Sequence, residues 1–104
     1  MSYSVYLCQP FKRSVKLLLK RFPHVKDDVA SALREIVQSP SLGAVIPGSA
    51  GTRKVRIKSS DLTRGKSGGF RLLYLVEPEQ QLVCPLLLYA KSDRQDVTLG
   101  ELRQ

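Results

Sequence analysis

Histidine and cysteine are scarce in this chain, which holds one His, His24, and two Cys, Cys8 and Cys84, with no CxxC spacing. A structural zinc site draws four ligands from these residue types, so no metal is expected. Both cysteines lie in apolar, strand-like surroundings and read as small core residues rather than a disulfide. No apolar run approaches the ~20 residues needed to span a bilayer, and the N-terminus lacks the basic start and long apolar core of a signal peptide. A cytoplasmic protein with no membrane partner is the expectation. Internal repeats, low-complexity tracts and coiled-coil heptads are also missing. Gly65-Lys66-Ser67 has the last letters of a phosphate-binding loop. The first glycine of that loop is misplaced and a strand follows where a helix is required, so a nucleotide cofactor is not expected.

What the chain does have is positive charge. Its 17 Lys and Arg against 9 Asp and Glu give a net charge of +8 and a pI near 9.9. Such a protein is drawn to nucleic acid, anionic membrane or an acidic protein, and the attraction weakens with salt. The 104 residues allow one modest core, so residues 1–104 read as a single domain.

Helical patterns come first and strands second. Ser4 to Cys8 is a short candidate strand, ended by Gln9-Pro10. Phe11, Val15, Leu18, Leu19 and Phe22 recur at helical spacing, with Lys12, Arg13, Lys16, Lys20 and Arg21 on the other faces, and Pro23 stops the run. Asp27 and Asp28 suit the start of a second helix carrying Val29, Leu33, Ile36 and Val37, ending before Pro40. Segments 39–43 and 47–51 are loop-like. Beyond them, Lys54, Arg56 and Lys58 alternate with Val55 and Ile57, as successive strand side chains do. Phe70 to Val76 and Gln81 to Tyr89 predict two further strands, the second the more buried, with a turn at 77–80. Thr98-Leu99-Gly100-Glu101 has the spacing of a capping box for a short final helix. The pattern predicts an α+β fold: an N-terminal helical hairpin packed on a small, mainly antiparallel twisted sheet.

Seven of the 17 basic residues, Arg53, Lys54, Arg56, Lys58, Arg64, Lys66 and Arg71, fall between positions 53 and 71 against one acid, Asp61. They sit on two strand-like runs and the loop between them, which points to a polyanion held in a defined place. Lys58, Arg64 and Lys66 read as solvated charges that bind backbone phosphates, together with Arg53. Gly68-Gly69 reads as turn chemistry, Tyr74 and Phe70 as core, and Tyr89 as divided between core and site.

Four ordered blocks carry a resemblance. They are Pro40-x-Leu42-Gly43-x-x-Ile46-x-Gly48, Gly51-x-Arg53-Lys54-Val55-Arg56-Ile57, Gly65-Lys66-Ser67-Gly68-Gly69-Phe70-Arg71-Leu72-Leu73-Tyr74 and Leu88-Tyr89-Ala90-Lys91-Ser92-x-x-x-Asp96. With these the chain resembles the RelE/ParE superfamily of bacterial toxins, most closely the HigB-like branch of RelE-type toxins. The resemblance implies a type II toxin that enters the ribosomal A site and cuts mRNA without metal or other cofactor. In that chemistry the ribose 2′-hydroxyl attacks the adjacent phosphate and a 5′-hydroxyl departs. It requires a base, cations for the phosphorane and an acid.

With His24 outside every block, the resemblance assigns this work to Lys54, Arg56, Arg71, Lys91 and Tyr89. Lys54 and Arg56 take the basic strand positions of the family, and Arg71 takes the phosphorane. Its bidentate guanidinium suits dispersed negative charge better than an ammonium. Lys54 is the candidate base where neighbouring cations depress its pKa, and Lys91 or Tyr89 the acid. The implied partners are the ribosome, mRNA and a cognate antitoxin, acidic or with an acidic segment. The antitoxin is expected to carry a helix-turn-helix domain, through which alone operator DNA would be bound. Two other functions remain open: gyrase inhibition of the ParE kind, and a noncatalytic basic module that binds RNA or DNA.

Overall fold

Two helices occupy most of the first forty residues, as the periodicity of that stretch predicts. In a computed structural model that describes residues 3–62 and 68–93, strand β1 (Ser4–Val5) precedes helix α1 (Gln9–Leu19) and helix α2 (Val25–Gln38). Helix α1 ends before Phe22 and Pro23, and Pro10 lies in its first turn rather than ending a strand. That position suits proline, whose missing N–H has no partner there in any helix. Helix α2 starts two residues ahead of Asp27 and Asp28, which then occupy its first turn.

Four more strands follow: β2 (Ala44–Val45), β3 (Arg53–Ile57), β4 (Phe70–Glu77) and β5 (Leu82–Ala90). They form one sheet in the order β1-β5-β4-β3-β2, antiparallel throughout except for the parallel pair β1 and β5. The fold is α+β, as the sequence pattern predicts. The two-residue β2 is an addition to the sequence reading. Burial corrects another point: β4, in the middle of the sheet, is buried without a break from Phe70 through Tyr74, whereas β5 is continuously buried only from Leu88 to Ala90.

One face of the sheet is lined by Ile57, Phe70, Leu72, Tyr74, Val83, Leu88 and Ala90, and these pack against Phe11, Val15, Leu18, Val25, Val29 and Ile36 of the helices. Phe70 has no exposed surface and meets Phe22 edge to face, with ring centroids 5.0 Å apart. Helix α1 also covers the edge of β5 beyond β1. There the Ser14 hydroxyl donates to Phe11 O at 2.7 Å and accepts the Leu88 N–H at 3.0 Å, supplying a partner that the sheet does not. Cys8 and Cys84 are free and half-buried; Cys8 packs against the core, and its thiol lies 3.5 Å from Pro85 O.

Candidate active site

Strand alternation puts every second residue of β3 and β4 on the face turned away from the helices. Register then aligns them: Arg56 is opposite Arg71, and Arg71 is opposite Tyr89. Partners so placed stand about 4.5–5.5 Å apart. Lys54 is opposite Leu73, which makes it a diagonal neighbour of Arg71. On the other side the Lys91 N–H donates to Gly69 O at 3.0 Å, continuing the ladder one step past Ala90, so Lys91 is the opposite diagonal. Arg71 is therefore the centre of the five residues that the resemblance assigns to catalysis, with Arg56 and Tyr89 beside it and Lys54 and Lys91 at the corners.

A β-bulge is what brings Tyr89 there. Leu73 is opposite Leu87 and Tyr74 is opposite Pro85, so Leu86 is an extra residue in β5. Before it the odd-numbered Val83 faces the helices; after it the even-numbered Leu88 and Ala90 do. The one-residue shift turns Tyr89 and Lys91 to the Arg71 side.

Arg71 is only 5 % exposed, and among the described residues it is the one charged side chain in the buried class. One of its Nη atoms donates to Phe70 O at 3.0 Å. Burial pushes the guanidinium pKa below its ordinary value, the nearby Arg56 charge pushes it the same way, and Tyr89 opposes them. Both lowering causes disfavour positive charge at this point, and an anion brought to Arg71 relieves them. Tyr89 is 4 % exposed, whereas Lys91 and Arg56 are exposed and Lys54 is half-buried. Two open clefts of about 520 Å³ each lie between α2 and β3. Arg56 borders both, Lys54 borders one and Lys58 the other.

Arg53 has a different place. Its guanidinium donates to Gly43 O at 2.6 Å and Ser41 O at 3.3 Å. The Tyr74 hydroxyl, from the strand opposite, accepts the Gly43 N–H and donates to Pro40 O, both at 2.8 Å. A Cβ at Gly43 would lie 2.9 Å from Lys54 O and 3.1 Å from the Tyr74 ring. Pro40, Gly43, Arg53 and Tyr74 thus form a clamp that fixes the loop after α2 against β3. This accounts structurally for Pro40 and Gly43 of the first block of the resemblance and gives the Arg53 guanidinium two backbone acceptors. Gly69 likewise serves close approach as well as turning, since a Cβ there would lie 2.1 Å from Ile57 O.

Three contacts were not foreseen in the sequence. His24 Nδ1 pairs with Asp61 Oδ1 at 2.7 Å, and its backbone N–H donates to Asp61 Oδ2 at 3.0 Å. The Asp28 carboxylate accepts the Ser60 N–H at 2.9 Å and also its hydroxyl. Together they tie the segment after Lys58 to the start of α2. Arg21 makes a two-pronged ion pair with Asp93 at 3.0 and 2.6 Å, which anchors the chain just past Lys91 to the end of α1. Arg64, Lys66 and the capping-box segment at 98–101 lie outside the described residues.

No family model matches the sequence. The backbone, however, is similar to a chain of the toxin–antitoxin complex RelBE2 from Mycobacterium tuberculosis, with a TM-score of 0.65 and 22% identity over 86% of this chain and 99% of that one. It is also similar to the free E. coli toxin RelE, solved as a double arginine-to-alanine mutant, with a TM-score of 0.59 and 22% identity over 85% of this chain and 82% of that one. The chain has the RelE toxin fold. Within this RelE fold the basic row lies on the face of the sheet opposite the helical hairpin. No helix among the described residues is long and apolar enough to cross a membrane.

Proposed function

We propose that this protein is the toxin of a type II toxin–antitoxin system and acts as a ribosome-dependent mRNA endoribonuclease of the RelE type, closest to its HigB-like branch. One observation carries the reading: a buried arginine, Arg71, stands between Arg56 and Tyr89 on one row of a sheet. A guanidinium so placed is positioned before substrate arrives, and preorganised charge is what a dianionic phosphorane requires. The likeness of fold to RelE supports it.

In the proposed reaction the mRNA 2′-oxygen forms a bond to the adjacent phosphorus while the bond from phosphorus to the 5′-oxygen breaks. Lys54, in its neutral form, takes the 2′-hydroxyl proton, and Tyr89 or Lys91 returns a proton to the 5′-oxygen. Arg71 and Arg56 hold the equatorial oxygens, and Lys58 with Arg64 and Lys66 contacts flanking phosphates. The products are a 2′,3′-cyclic phosphate and a 5′-hydroxyl, with no metal or cofactor in the scheme. The protein works in the cytoplasm, as one domain over residues 1–104. A cognate antitoxin bearing a helix-turn-helix domain restrains it, and operator DNA is met only through that partner.

The test is primer extension on mRNA in a reconstituted translation system, with and without ribosomes. Wild-type protein should give ribosome-dependent cuts. Arg71→Ala should lower the cleavage rate by about 10²–10³-fold, the cost of removing one donor from a preorganised anion site. Arg71→Lys should recover only part of that, because an ammonium lacks the bidentate fork. Uncut mRNA with folded, ribosome-bound wild-type protein would sink the nuclease reading and leave gyrase inhibition and noncatalytic binding.

A further inference from the structure

Lys91 stands just past the end of β5. Its N–H donates to Gly69 O at 3.0 Å, one step beyond Ala90, and the residue is exposed. A lysine on a fraying strand end spreads its four-carbon stem over many positions, whereas a proton donor works only when held close to the atom it serves. Two contacts oppose that spread. The Asp93 N–H donates to Ala90 O at 3.0 Å, closing a turn around Lys91. The Asp93 carboxylate then accepts the Arg21 guanidinium on both oxygens, from Nη1 at 3.0 Å and from Nη2 at 2.6 Å.

Arg21 is itself held. It follows α1 with its N–H donating to Leu18 O at 3.1 Å, and its guanidinium carbon lies 5.2 Å from the centre of the Phe22 ring. Phe22 is the buried ring that meets Phe70 edge to face, and Phe70 is the chain neighbour of Arg71. One pair of core rings thus stands behind both cations, behind Arg71 along β4 and behind Lys91 through Arg21 and Asp93. We infer that Arg21 is a positioning residue for the cleavage reaction, setting Lys91 at its corner beside Arg71 by way of Asp93. The use to which Lys91 is put, serving the departing 5′-oxygen, rests on the nuclease reading, while the place where Lys91 is held rests on geometry alone. Exposed ion pairs contribute little to stability, and this one keeps 52% and 43% of its two side chains open to solvent. Its effect therefore belongs to the rate of cleavage more than to folding.

The test is single-turnover cleavage of mRNA on programmed ribosomes, with all variants first checked for a urea midpoint near wild type. Arg21→Gln and Asp93→Asn should each lower the rate at saturating ribosome by about tenfold and leave the half-saturating concentration unchanged. Asp93→Asn breaks the pair while making the protein more positive, so weaker attraction for RNA cannot explain its loss. Lys20→Gln removes a charge one residue from Arg21 and should cleave as wild type. Lys91→Ala should lower the rate by about 10²-fold, the scale of a lost proton donor, and in that background Arg21→Gln should add nothing. Arg21→Lys should recover part of the rate, since an ammonium keeps the charge without the fork. Hydrogen exchange at the Lys91 and Asp93 amides reads the same positioning with neither ribosome nor mRNA present. Both should exchange about threefold faster or more in Arg21→Gln, and as wild type in Lys20→Gln. An undiminished rate in Asp93→Asn or in Lys91→Ala, a further loss when Arg21→Gln is added to Lys91→Ala, or unchanged exchange would each overturn the proposal. Uncut mRNA with wild-type protein would instead sink the nuclease reading, and the exchange rates would then decide whether Arg21 holds Lys91.

Discussion

On the helix side of the sheet the row Ile57, Phe70 and Ala90 is apolar and sealed, while the next row, on the other side, is Arg56, Arg71 and Tyr89. The two rows are one residue apart on the same three strands. Phe70 and Arg71 are chain neighbours and both are buried. The difference lies in what burial does: for Phe70 it removes apolar surface from water, and for Arg71 it removes solvent from a charge. The first effect stabilises the fold and the second costs stability, which Arg71 repeats in its lowered pKa. A strand can therefore hold fold and chemistry in consecutive residues, and substitutions can separate them.

The widest separation comes from Phe70→Ala. Deleting a fully buried ring that also meets Phe22 edge to face should cost about 3–5 kcal/mol of stability. Urea denaturation checks it, and a loss below about 1 kcal/mol would mean the helix side is loosely packed. Arg71→Ala, next in size through its effect on cleavage, should leave the urea midpoint near wild type or above it, since a buried charge is removed. Joint loss of folding and cleavage would break the comparison, because both rows would then serve the core.

The clamp gives a smaller effect. Tyr74→Phe keeps the ring in the core and removes only the hydroxyl, which leaves the buried Gly43 N–H without its acceptor. An unsatisfied buried donor costs about 1–3 kcal/mol. Because Arg53 still holds Gly43 O, the loop should stay attached. Hydrogen exchange at Gly43 reads this directly, and protection unchanged from wild type would show that the hydroxyl is dispensable.

These contrasts also show what the sequence made legible. The helix pair was readable because polar and apolar residues recur at a 3.6-residue period, and β3 because Lys54, Val55, Arg56 and Ile57 alternate. β4 and β5 are nearly all apolar from Leu72 to Val76 and from Leu86 to Leu88. With no alternation there, neither the facing of Tyr89 nor the bulge at Leu86 could be read, and Pro85, a residue favoured at edges and bulges, was the only local signal. Arg53 looked like its neighbours in the basic run, yet its side chain reaches back 10 residues to Gly43 O. His24 lies outside every block of the resemblance. Its partner Asp61 is 37 residues away, and spacing carries no information at that range.

That pair yields the smallest effect, one visible only against pH. Asp61 raises the His24 pKa above its ordinary 6.5, first through the hydrogen bond and then through charge. In return His24 holds the Asp61 carboxyl below its ordinary 3.8, again mainly through the hydrogen bond. The raised His24 value means its contribution to folding is full below pH 6.5 and is lost as pH climbs through the folded-state value. The depressed Asp61 value means its contribution is present above pH 3.8 and is lost as pH falls through the folded-state value. The tie between α2 and the segment after Lys58 should therefore be strongest in mildly acidic solution. Thermal melts from pH 5 to pH 8.5 should show a fall in the wild-type Tm that is absent in His24→Ala and Asp61→Asn. Arg71→Ala leaves the His24 and Asp61 pair in place, so the same fall should persist there. A parallel slope in all four proteins would mean that the exposed His24 is paired with water in solution rather than with Asp61.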